Sequence, residues 1–105
     1  MIRQGDVLVV ACEELPKDVS RVAAENGRLI LARGGATGHH HSFAMSERVA
    51  MFREDGAGGG LFLAVTGAPV ALEHQEHTAL LVPPGTYRVL IQRTLRSGMV
   101  RRVED

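Results

Sequence analysis

The chain contains no tryptophan, one tyrosine and three phenylalanines. Its core therefore has to be aliphatic, built from Val, Leu, Ile, Ala and Met, and flat platforms on which nucleic-acid bases stack are scarce. A single cysteine, Cys12, excludes an intrachain disulfide and fits a reducing compartment. No apolar run approaches the roughly 18 residues of a membrane-spanning helix, and "MIRQGDVLVV" lacks the apolar stretch of a secretion signal. The expectation is a cytoplasmic protein that makes no membrane contact. The formal net charge is zero, which argues against a partner that needs one uniformly charged surface and leaves local patches open. Lysine is also nearly absent: Lys17 stands alone beside eleven arginines.

What the chain does have is 105 residues, 45% of them hydrophobic and 23% charged. That is one folded domain spanning 1–105, and no repeat or linker divides it. Most segments read as short strands. "DVLVVAC" (6–12) is a β-branched apolar run in which Leu8, Val10 and Cys12 share a face, so Cys12 is expected inside as a small hydrophobe. Asn26-Gly27 sits between two runs within 20–32 and signals a hairpin. Further strands are expected at 39–45, 48–55, 61–67 and 68–74, then on either side of Pro83-Pro84-Gly85, with a closing strand in "MVRRVED". The fold class is all-β: a small barrel or sandwich of short antiparallel strands.

All five histidines fall in two clusters, "GHHHS" and "EHQEH". Strand alternation puts His39, His41, Phe43 and Met45 on one face and sends His40 to the other. His74 follows Val70 and Leu72 on an inward face, and a bend in "HQEH" lets His77 converge on it. If the two segments are neighbours, four imidazoles meet. Imidazole is the commonest ligand for zinc and related metals. Three protein ligands and one water make a catalytic centre, and four make a closed one. The candidate metal ligands are His39, His41, His74 and His77 around a divalent transition metal, with zinc the leading choice. The same histidines, with Glu73 and Glu76, are the candidate catalytic residues, the carboxylates as ligands, orienting partners or general bases.

Between Thr86 and Arg102 there are five arginines and no acidic residue. Arginine matches phosphate oxygens bidentately, so Arg88 and Arg93, with His40, are the candidate substrate-binding residues for an anionic substrate such as a phosphoester or RNA. Tyr87 and Phe62 are the available stacking residues, which makes the RNA signal weak. The glycine-rich loops "RGGATG" and "GAGGG" lack the Lys-Ser/Thr of a phosphate-binding loop. Gly35 to Gly38 would at most bring backbone N–H groups near the histidines.

The stretches "IRQGDVLVV", "GATGHHH", "EHQEHTALLVPPGTYRVLIQR" and "RRVED" together resemble a group of small uncharacterised bacterial and phage proteins. Separately, "GHHHSFAMSE" resembles the first motif of the cupin β-barrels, a His-x-His followed by Glu, on His39, His41 and Glu47. "VPPGTYRV" is similar to the Pro-x-Gly turn of their second motif, although Tyr87 and Arg88 stand where its histidine belongs. The cupin resemblance implies a metal-holding β-barrel.

Three functional readings follow. One is a metal-dependent hydrolase of an anionic ester. A second is a metal-free ribonuclease with histidines as general acid and base. The third is a non-enzymatic module that carries a metal or ligand, or that pairs as a homodimer through a sheet edge.

Overall fold

The computed structural model describes residues 1–34, 38–56 and 58–92, together with the backbone of 93–96 and 99–102. Twelve strands are described: β1 (Ile2–Gln4), β2 (Val7–Ala11), β3 (Val19–Arg21), β4 (Arg28–Gly34), β5 (His39–Ala44), β6 (Val49–Glu54), β7 (Leu61–Val65), β8 (Val70–Leu72), β9 (Leu80–Val82), β10 (Gly85–Ile91), β11 (Arg93–Arg96) and β12 (Met99–Arg102). Among the described residues there is no helix, and so none long and apolar enough to cross a membrane.

One six-stranded sheet runs in the order β1-β2-β10-β7-β6-β3, with every pairing antiparallel. The hairpins β4-β5 and β8-β9 stand apart from it and are stitched together by a backbone bridge between Ser42 and Glu73. Among the described residues no closed barrel forms. The core lies between the large sheet and the two hairpins. Val7, Val9, Met51 and Leu63 come from the sheet, Leu29 and Phe43 from the first hairpin, and Leu72 and Val82 from the second. Each fully buried aliphatic or Phe side chain contributes about 1.5–3 kcal/mol relative to exposure, which is how a chain so poor in aromatics stabilises a fold.

The inward face of β2 is the opposite of the expected one. Val7 and Val9 are buried, while Leu8 and Val10 are only half-buried, and Cys12 is half-exposed beyond the strand end. The phase is set by the two-residue turn Gly5-Asp6, which joins β1 to β2 with Gln4 paired to Val7. Gly5 takes φ 56°, a conformation that suits glycine. Asn26-Gly27 does make a tight two-residue turn, with φ 49° and 76°, closed by reciprocal Glu25–Arg28 backbone hydrogen bonds. The run before it, however, pairs with β6 rather than folding back along β4.

Two irregularities place the histidines. Pairing between β4 and β5 shifts register between Ile30 and Ala32, so Leu31 is the extra residue of a bulge. The bulge sets the small side chain of Ala32, rather than that of Leu31, opposite His41. Residues 75–77 bend after β8 and turn His77 back beside His74.

Candidate functional site

The two histidine clusters meet. Ring centroids lie 4.4 Å apart for His41 and His74, 4.6 Å for His74 and His77, 5.6 Å for His39 and His74, and 5.8 Å for His41 and His77. His41 is fully buried and His39, His74 and His77 are half-buried, so the cluster has a closed floor and an accessible rim.

The floor is built by residues that the histidine pattern does not announce. Gln4 donates both amide protons, to the carbonyls of Leu72 (2.9 Å) and Thr78 (3.0 Å). Its Oε1 therefore accepts, and His41 Nδ1, 2.8 Å away, carries the proton. That tautomer aims His41 Nε2 at Asp6, whose Oδ1 lies 3.4 Å off; both side chains are sealed from solvent. Asp6 sits in the β1-β2 turn, and its carbonyl accepts the Gln92 N–H at 2.7 Å. A buried carboxylate is costly unless it is paired, and here the His41 ring faces it.

His74 is oriented differently. Its Nδ1 accepts the backbone N–H groups of Glu76 (3.0 Å) and His77 (3.3 Å), which puts its own proton on Nε2. Nε2 of both His74 and His77, Nδ1 of His39 and Oδ1 of Asp6 are all shielded from solvent. At the rim, Glu76 Oε1 lies 3.5 Å from His39 Nδ1 and is more than half exposed.

The opposite face of β5 carries a separate polar group. Arg28 donates to the fully buried Ser42 Oγ through Nε (3.1 Å) and Nη2 (2.9 Å), and pairs with Glu73 Oε1 at 2.9 Å. With both hydroxyl lone pairs taken, Ser42 gives its proton to His40 Nδ1 at 3.0 Å. Partial burial holds His40 below the usual imidazole range of about 6.5, and Arg28, Arg33 and His41 push it the same way against Glu25. The backbone N–H of His40 donates to Gln75 Oε1 at 2.8 Å. Arg28, His40, Ser42, Glu73, His74 and Gln75 line a pocket of about 220 Å³.

The structure thus gathers His39, His41, His74, His77 and Glu76, and separates Glu73 and His40 from them onto the Arg28 face. Arg88 is exposed on the outer face of the six-stranded sheet, since its neighbours Tyr87 and Val89 point into the core; it does not meet the histidines. The side chain of Arg93 and the loop residues 35–37 lie outside the described residues. Tyr87 and Phe62 are buried, and the Tyr87 hydroxyl is tied to the Pro83 carbonyl at 2.6 Å, so neither offers a base-stacking face. Glu47 is exposed in the turn after β5, and Met45, expected among the inward residues, lies past the strand end and is exposed. Among the described residues, no three His, Cys, Asp or Glu side chains already stand in the arrangement of a metal site.

A family model described as a domain of unknown function, DUF8820, matches residues 3–92. No curated protein and no solved structure matches the chain.

Proposed function

The chain belongs to the DUF8820 family, and for it we propose a metal-dependent hydrolase whose centre is held by Asp6, His41 and His77, acting on an anionic ester. The observation that carries this reading is the His41–Asp6 pair. With its Nδ1–H committed to Gln4, a neutral His41 presents a lone pair to a buried carboxylate 3.4 Å away. A cation between the two groups, whether a metal ion or the ring's own second proton, satisfies both, and a metal ion held there gains one carboxylate and one imidazole ligand. The separation is longer than a charge-assisted hydrogen bond, about 2.7–2.9 Å. It matches the edge of a tetrahedral zinc shell, about 3.3–3.5 Å for bonds of 2.0–2.1 Å. An imidazole that holds a metal through Nε2 while Nδ1–H is fixed by an amide oxygen is the usual supporting arrangement for such a ligand. Binding includes side-chain rotation, because the rings pack against one another at 4.4–5.8 Å.

A bound zinc supplies a water that ionises near neutrality. The rest belongs to the chain. Glu76, at the exposed rim and 3.5 Å from His39 Nδ1, would be the general base beside such a centre. His74, its Nδ1 held by two backbone N–H groups, would fix the orientation of the ring that packs beside His41. In the metal-free ribonuclease reading, His39, His74 and His77 are left as the acid and base candidates, because both ring nitrogens of His41 face buried protein groups. A half-exposed single cysteine suits a reducing, cytoplasmic setting.

Elemental analysis of untagged protein, paired with hydrolysis of a chromogenic phosphodiester, tests this. One equivalent of transition metal is expected, with activity removed by a chelator and restored by zinc. Chelator-resistant hydrolysis, or zinc that fails to bind, sinks it.

A further inference from the structure

We propose that the pocket on the outer face of β5 is an oxyanion subsite that takes a phosphate group, with the Glu73 carboxylate occupying it as a displaceable stand-in. This rests on the hydrolase reading only in making that phosphate part of the substrate.

The pocket is built rather than incidental. Its floor is the Ser42 hydroxyl, a polar side chain with no solvent exposure, locked by Arg28 and His40. Arg28 presents a planar guanidinium edge, the geometry that matches phosphate and carboxylate oxygens. That edge already holds one carboxylate oxygen, Glu73 Oε1 at 2.9 Å. The Glu73 side chain is about half exposed, so it can leave toward water at little cost. Removing it leaves Arg28 without its carboxylate while Arg33 stays paired with Glu25 at 2.7 Å, so the local balance becomes one positive charge. Gln75, whose Oε1 is held by the His40 N–H, carries two further amide donors on the pocket wall.

The oxyanion is assigned as phosphate by competition. An external carboxylate offers Arg28 nothing that Glu73 does not, and Glu73 is tethered beside it at high effective concentration. Phosphate brings a second charge and more acceptor oxygens, enough to engage Arg28 and Gln75 together. His74 belongs both to the pocket wall and to the histidine cluster, so a phosphate seated here has the cluster as its neighbour. One end of the substrate is thereby held while the other meets the histidines.

The test is titration of inorganic phosphate into chelator-treated protein, followed through the backbone amide resonances of His40 and Ser42, with acetate in a parallel arm. Saturable shifts are expected with phosphate and not with acetate. Affinity should rise about two- to fivefold in Glu73→Gln, the worth of an exposed ion pair, and fall about tenfold in Arg28→Lys, which loses the bidentate edge. Unchanged affinity in Glu73→Gln, shifts that do not saturate, or acetate binding as tightly as phosphate overturns the proposal. Because Glu73 is exposed, its variant folds even if Arg28→Lys does not. A failed metal centre reads out separately, as lost zinc binding with phosphate binding intact.

Discussion

Nε2 of His41 faces Oδ1 of Asp6 across 3.4 Å, and neither side chain reaches solvent. The two residues come from different parts of the fold, a turn between the first two strands and the middle of β5. Their juxtaposition ties the six-stranded sheet to the histidine hairpin at the deepest point of the site.

That burial separates the histidines energetically. Replacing His41 with Ala opens a cavity at a fully buried position and takes away the partner of Gln4 Oε1, a change that costs about 2–5 kcal/mol. Replacing the half-buried rim residue His39 with Ala should cost under about 1 kcal/mol. Urea denaturation of chelator-treated protein measures both. Equal losses would show that the floor and rim are not distinct.

Gln4 sets the tautomer of His41 and anchors two carbonyls. Gln4→Leu keeps the volume but removes one acceptor and two donors, so a loss of about 2–4 kcal/mol is expected. Zinc affinity should also weaken about 10- to 100-fold, as for other residues that orient a metal-bound imidazole. Competition with a chromophoric chelator reads the second effect. Unaltered zinc affinity in a folded Gln4→Leu protein would remove Gln4 from the metal reading.

His40 should titrate below the usual imidazole value in chelator-treated protein, because burial and two arginines disfavour its charged form. Arg33→Gln should move it back upward, as followed by ring-proton NMR. The sign for stability follows. The folded state binds this proton less readily than the unfolded chain, so His40's contribution is intact above about pH 6.5 and is lost as pH falls toward the depressed folded value. Between pH 7 and pH 5, His40→Gln should therefore lose less stability than the unmodified chain. A steeper loss in the variant contradicts the assignment.

Much of the site was legible because strand alternation is strict. It separates His40 from His39 and His41, places Phe43 inside, and lets a bend carry His77 to His74. The all-β class followed from the β-branched runs and the turn residues. Gln4 and Asp6 were not legible, for a local reason. Gly5 with positive φ makes a two-residue turn, which restarts the inside–outside count between them. Within "DVLVVAC", taking Cys12 as a buried hydrophobe put Leu8 and Val10 inside in place of Val7 and Val9. The surviving clue was a lone acid set directly against an apolar strand. Arg88 misled because a row of arginines on a strand shows charge without showing which side of the sheet it decorates.

The backbone bridge between Ser42 and Glu73 has a bearing on timing. Each hairpin can fold locally, and each then carries only its own histidines. The pairs become one site when two segments far apart in sequence close against each other, a step that local structure does not accelerate. Assembly of the site during refolding should accordingly coincide with the closure of that long-range pairing, so that the two histidine clusters stay apart in every form of the chain that lacks it.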